Sequence, residues 1–204
     1  MSEYDETRRR LLRTLALAPL AVVPLAQAAC TTGSVAALEP TPACDDDDDD
    51  DPTPSQTEGP YFKPSSPQRA SLLESGITGT TLVVGGLVLT RSCVPVAGAL
   101  LDFWQADDDG AYDNAGFRLR GHQFADESGQ FRLETVVPGL YPGRTRHIHV
   151  KVQAPNRPVL TTQLYFPGEA RNAGDSIFRQ ELVVSMQDAG GARQATFDFV
   201  LNVR

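Results

Sequence analysis

Between Thr57 and Arg204 the apolar residues arrive in short bursts, each closed by a turn signal. Thr81-Leu-Val-Val, Gly86-Leu-Val-Leu-Thr, Gly98-Ala-Leu-Leu-Asp-Phe-Trp and Gln130-Phe-Arg-Leu-Glu-Thr-Val-Val are the first four. Ile148-His-Val-Lys-Val-Gln, Leu160-Thr-Thr-Gln-Leu-Tyr-Phe and Ala195-Thr-Phe-Asp-Phe-Val-Leu-Asn-Val follow. They are rich in β-branched and aromatic residues and tend to a period of two, which sends alternate side chains to opposite faces of a sheet. Asp126-Glu-Ser-Gly and Pro138-Gly supply turns between them. Many short strands at this spacing predict an all-β fold, an antiparallel β-sandwich with long loops and short helices at Gln68–Ser75 and Asp175–Arg179. Roughly 150 residues suffice for one such domain with a proper core.

The chain ahead of that domain is of another kind. Thr7-Arg-Arg-Arg-Leu-Leu-Arg13, an apolar stretch from Leu15 to Leu25, and Ala26-Gln-Ala28 read as a signal peptide over residues 1–28, of the twin-arginine type. The apolar run is shorter than the ~20 residues a membrane span needs. Cleavage after Ala28 is expected; Cys30 leaves lipoprotein processing open, although Gln27 stands where that signal wants an aliphatic residue. The expected location is periplasmic, extracellular or lipid-anchored at the cell surface. Residues 29–56 carry Asp45–Asp51, seven consecutive aspartates whose mutual repulsion predicts a disordered acidic tether ahead of a domain at 57–204. That run accounts for most of the net charge of −8, so the acidity says little about partners beyond arguing against a nucleic-acid binder. With three cysteines in an exported chain, a Cys44–Cys93 disulfide is expected to pin the tether's end, leaving Cys30 free or lipidated.

Chemistry concentrates in Gly139-Leu-Tyr-Pro-Gly-Arg-Thr-Arg-His-Ile-His-Val150. His147 and His149 alternate with Ile148 on a strand, so both imidazoles project from one face, and Tyr141 can fold back toward them across Pro142-Gly143. Two nitrogen donors and a phenol read as half of a metal site. Taken alone, Tyr112 is a loop tyrosine, Tyr61, Tyr165 and Trp104 are packing residues, His122 is a strand or surface histidine, and Asp107–Asp109 form a solvated loop.

Thr57-Glu-Gly-Pro-Tyr-Phe, Val94-Pro-Val-Ala-Gly-Ala-Leu-Leu-Asp-Phe-Trp-Gln-Ala, Gly110-Ala-Tyr112, Pro138-Gly-Leu-Tyr-Pro, Arg144-Thr-Arg-His-Ile-His149 and Thr162-Gln-Leu-Tyr-Phe, in that order, resemble the intradiol ring-cleavage dioxygenases. The resemblance implies a non-haem Fe(III) held by Tyr112, Tyr141, His147 and His149. It implies a small dihydroxy-aromatic substrate of the catechol type, cleaved with O2 to a cis,cis-muconate-type product. Tyr141 matches the tyrosine that leaves the iron and takes a substrate proton, Arg144 the arginine that stabilises charge on the ring, and Gln163 a glutamine beside the substrate. The family's loop between the second tyrosine and the histidines is usually longer, and Thr145-Arg146 stands where it has Pro-Ala, so the arginine's role is open between Arg144 and Arg146. The absence of a helical segment ahead of the core brings it nearer the protocatechuate type. Two other readings remain: an exported β-sandwich binding module without catalytic iron, and a ferrous two-histidine-one-carboxylate site using Asp102 or Asp113.

Overall fold

The structure is a computed structural model and describes residues 51–189 and 192–203. Among the described residues nine strands make two sheets: β1 Thr81–Thr90, β2 Leu100–Trp104, β3 Arg120–Phe124, β4 Gln130–Val136, β5 His147–Gln153, β6 Leu160–Tyr165, β7 Ser185–Ala189, β8 Ala192–Thr196 and β9 Phe199–Leu201. One sheet runs β4-β1-β8-β7 with β9 also on β1; the other runs β3-β2-β5-β6. The second sheet is antiparallel throughout. In the first, β8 and β9 both run parallel to β1, a departure from the purely antiparallel expectation. Phe197-Asp198 breaks what reads in sequence as one terminal strand, so that β8 pairs with Leu82–Gly85 and β9 with Val88–Thr90.

The two segments expected at Thr81 and Gly86 are a single strand. It passes so close to the Phe197 carbonyl that a Cβ at Gly86 would lie 1.9 Å from its oxygen, so only glycine fits. The inward side chains of both sheets, Leu82, Val84, Phe131 and Leu133 against Leu101, Phe103, Ile148, Val150 and Leu164, form the core. Each fully buried aliphatic or aromatic side chain contributes about 1.5–3 kcal/mol of transfer free energy.

Neither expected helix forms. Gln68 and Ser71 make parallel bridges to His122 and Glu134, and Arg69 and Leu72 donate backbone N–H groups to the same two residues, so this segment ties the edge strands β3 and β4 together. Asp175–Arg179 is irregular, flanked by single 3-10 turns at Asn172–Gly174 and Gln180–Leu182. Its first residue turns a carboxylate onto the Ile177 and Thr145 N–H groups. Contact with the core also begins earlier than the sequence suggests: Thr53 N–H donates to Val200 and Gln56 N–H to Thr161, inside the segment read as tether. Cys93 is disulfide-bonded, and its partner lies outside the described residues, as do the segment read as a signal peptide and the aspartate run up to residue 50. Among the described residues no helix is long and apolar enough to cross a membrane.

Candidate metal centre

The strand period places Ile148, Val150 and Val152 in the core and sends His147 and His149 to the outer face of the β3-β2-β5-β6 sheet. There the register lays out the floor of a site. Trp104 pairs with His149, His149 with Gln163, and His147 with Tyr165, side by side across β2, β5 and β6. Loops cover this face, which is why His147 and His149 are 4% and 3% exposed on what would otherwise be a solvent side.

The two imidazoles are oriented by different means. His147 Nδ1 lies 2.7 Å from the Thr145 carbonyl oxygen, which can only accept. Nδ1 therefore carries the proton, and Nε2 presents its lone pair to Tyr112 Oη at 3.1 Å. His149 is held instead by its ring, stacked on Trp104 at 4.8 Å and 6°. Its Nδ1 is buried without a hydrogen-bond partner.

Two loops carry the phenols and cross where neither tolerates a side chain. A Cβ on Gly139 would lie 2.3 Å from Gly110 N and 2.4 Å from Asp108 O, and Gly139 N–H donates to the Asp107 carbonyl. Asp107 accepts the N–H groups of Asp109 and Ala111, so the acidic loop is a hydrogen-bonded turn that delivers Tyr112. Tyr112 and Tyr141 end with ring centroids 5.7 Å apart. Over them lies Tyr61, stacked on Tyr112 at 4.5 Å and 15° and hydrogen-bonded through its hydroxyl to Tyr141 Oη at 2.7 Å. The buried Arg120 guanidinium fixes this arrangement by donating to the carbonyls of Tyr61 and Asp113, on either side of the stack.

Arg144 borders the cluster. Its Nη2 donates to Gln163 Oε1 at 2.7 Å and its Nε to Asp175 Oδ2 at 2.8 Å. Arg146 turns elsewhere, pairing with Glu169 and donating to the Pro138 carbonyl. A cleft of about 600 Å³, lined by Leu140, Pro142, Gly143, Arg171 and others, opens beside Arg144 along the short loop.

Burial sets the electrostatics. It lowers the His147 pKa to about 4 and that of His149 well below the ordinary histidine value, with Arg144 pushing both the same way. It also raises the Tyr112 phenol, against the opposing pull of Arg144 and Arg120. Both imidazoles are thus neutral donors at pH 7. A consequence is testable on metal-free protein. The unfolded chain binds a proton on His147 near 6.5 and the folded chain only near 4, so between these values the unfolded state holds more protons. Stability is full above 6.5 and falls as pH drops toward 4, by about 3 kcal/mol from His147, with His149 acting in the same direction. Urea midpoints of EDTA-treated protein at pH 7.5 and 4.5 should show the loss, and His147→Gln should reduce it to the part that His149 contributes.

Of the residues singled out from sequence, the fold brings Tyr112, Tyr141, His147 and His149 together with Arg144 and Gln163. It leaves His122 on β3 facing Ser66. The carboxylates of the ferrous alternative are engaged elsewhere: Asp102 accepts from Ser66, and Asp113 accepts the N–H groups of Ala115, Gly116 and Arg118. Sequence reading missed Tyr61, Trp104 and Tyr165 as site residues; each is an aromatic in an apolar motif. Arg120 and Asp175 gave no signal beyond their charge.

A dioxygenase family model matches residues 57–203, a span that holds every residue of this cluster. The chain belongs to the intradiol ring-cleavage dioxygenase family. Its relatives are oxidoreductases that open aromatic rings with O2. The dioxygenase domain of a dioxygenase–carbohydrate-binding protein fusion from the cellulolytic bacterium Streptomyces sp. SirexAA-E is 62% identical. That match covers 76% of this chain and 100% of the other with a TM-score of 0.74. Chlorocatechol 1,2-dioxygenase of Pseudomonas sp. (strain P51) is 29% identical over 71% of this chain and 68% of its own length. 6-Chlorohydroxyquinol 1,2-dioxygenase of Cupriavidus pinatubonensis is 30% identical over 71% of this chain and 62% of its own.

Proposed function

We propose that this intradiol dioxygenase holds a non-haem ferric ion between Tyr112, Tyr141, His147 and His149 and cleaves a small catechol-type ring to a cis,cis-muconate-type product. The observation that carries the reading is the convergence of two phenols and two neutral imidazoles, with Tyr112 Oη 3.1 Å from His147 Nε2. The donor set fits. Ferric iron is a hard cation that prefers anionic oxygen, and two phenols offer it while the imidazoles complete the set. When bound, that ion would favour phenolate over phenol and the doubly deprotonated form of a chelating catechol.

The chain's own groups supply the rest. Tyr141 Oη, hydrogen-bonded to Tyr61 Oη, would as a phenolate accept a substrate proton and become the neutral phenol. The Arg144 cation, held at the edge of the cluster, stabilises negative charge developing on the ring. Thr145 keeps His147 in the tautomer that presents Nε2. Burial of both histidines excludes the water that would otherwise screen these charges. The arginine-rich signal and small-residue cleavage pattern at residues 7–28 support action outside the cytoplasm.

The test is a visible absorption spectrum of iron-replete protein, with and without catechol in the absence of O2. Tyrosinate on Fe(III) gives a red charge-transfer protein, and a chelating catechol moves the band to longer wavelength. A protein that stays colourless with added ferric iron would sink the reading and leave a binding module in its place.

A further inference from the structure

Resting on that reading, we infer that Asp175 is the positioning residue that sets the orientation of the Arg144 guanidinium. Asp175 stands in the irregular segment after β6, remote in sequence from every candidate ligand, yet its side chain is 2% exposed at the back of the site. Three donors converge on it: Arg144 Nε at 2.8 Å and Thr145 N at 2.9 Å on Oδ2, and Ile177 N at 3.1 Å on Oδ1. The Thr145 and Ile177 N–H groups and the Arg144 charge hold the carboxylate ionised against its burial, so the bond to Nε is charge-assisted.

The geometry leaves the guanidinium little choice. Nε is fixed by Asp175 and Nη2 by Gln163 Oε1, two bonds that define the plane of a rigid fork. Gln163 cannot adapt to a wandering arginine, because its Nε2 is spent on the Thr57 carbonyl and its Oε1 is shared with the Tyr165 hydroxyl. Nη1 is left without a partner among the described residues and is the one nitrogen free to donate to a substrate. Asp175 also bonds the N–H of Thr145, whose carbonyl fixes the His147 tautomer. Pro142 and Gly143 put no long side chain behind Arg144, and a cleft opens there instead, so the bond to Asp175 is what holds the guanidinium on that side.

The experiment uses Asp175→Ala, Asp175→Asn, Arg144→Lys and the Arg144→Lys/Asp175→Ala double variant in the full chain. In metal-free protein, hydrogen exchange of the Arg144 Nε–H, assigned by its loss in Arg144→Lys, should be slow in the wild type and fast in Asp175→Ala. In iron-loaded protein, Asp175→Ala should lower kcat for catechol by roughly ten- to hundredfold, the scale of a small misplacement of a reacting partner. KM should stay within about threefold and the anaerobic catechol band should not move, with Asp175→Asn in between. In the Arg144→Lys background, adding Asp175→Ala should cost less than about twofold, because the two residues act as one unit. Multiplying losses would overturn the inference. So would disappearance of the catechol band in Asp175→Ala, or a wild-type Nε–H that exchanges as fast as an exposed arginine's. If no variant and no wild-type preparation cleaves catechol, the proposed activity fails, and the exchange measurement still decides whether Asp175 holds Arg144.

Discussion

Tyr112→Phe should give a folded protein that no longer retains ferric iron, shows no red absorption, and cleaves catechol roughly 10³-fold more slowly or not at all. The substitution removes one oxygen. Its ring still stacks on Tyr61 at 4.5 Å, and among the described residues the only bond given up is that to His147 Nε2 at 3.1 Å. Burial raises the pKa of this phenol, so in the metal-free protein the hydroxyl is neutral, and its loss should lower the unfolding midpoint only by the cost of one unpaired imidazole nitrogen, about 1–3 kcal/mol. Iron loss without unfolding would therefore report ligation rather than damage. His147→Ala should do the same to iron but should also destabilise, because it opens a cavity beneath the loops. Tyr61→Phe is the control for the aromatic cluster: it keeps the stack, loses the 2.7 Å bond to Tyr141 and should retain iron. Iron content and visible absorbance on the same preparations, alongside urea midpoints, decide the matter. Full iron and colour in Tyr112→Phe would remove that residue from the ligand set.

The halves of this site were unequally legible in the chain. His147 and His149 announce themselves, because a period of two on a strand is enough to put both rings on one face, and the register confirms that they share it with Trp104 and Gln163. Tyr112 cannot be read that way. Its position depends on a loop crossing in which Gly139 backs onto Gly110, a contact between residues 29 apart that no local pattern encodes; the resemblance to a family supplied it. Tyr61 read as packing because a tyrosine in an apolar motif usually is, and its role appears only once the segment from Thr53 folds across the outer face of the sheet. Asp175 was hidden for a similar reason, as an aspartate in a loop whose partner lies 31 residues earlier. The fold shows the same division. Strands with β-branched alternation were visible, whereas Ser185-Met-Gln-Asp-Ala189 and Arg120-Gly-His-Gln-Phe124 have weak strand character of their own and are strands because a neighbour offers a ladder. Gln68–Ser75 failed as a helix because edge pairing satisfied its backbone instead.

Arg144→Gln should separate charge stabilisation from iron binding. None of the four candidate ligands is touched, so iron and the anaerobic catechol band should persist while kcat falls roughly 10²- to 10³-fold, the loss typical of removing one preorganised donor from a developing charge. Glutamine is too short to keep the bonds to both Asp175 and Gln163, and it leaves the buried Asp175 carboxylate with backbone donors alone, so a modest loss of stability should accompany the kinetic one. Arg146→Gln is the matched comparison. Its ion pair with Glu169 is partly exposed on both sides, where such pairs are worth about 1 kcal/mol or less, and turnover should stay within about threefold. The contrast settles a question the sequence left open, since both arginines stand just ahead of the histidines. The bond from Arg144 to Gln163, which β6 places directly opposite His149, is what favours Arg144 for the role. A large kcat loss in Arg146→Gln with a small one in Arg144→Gln would reverse that assignment. It would mean that the loop from Pro142 to Thr145 rearranges when substrate enters, exchanging one cation for the other at the ring.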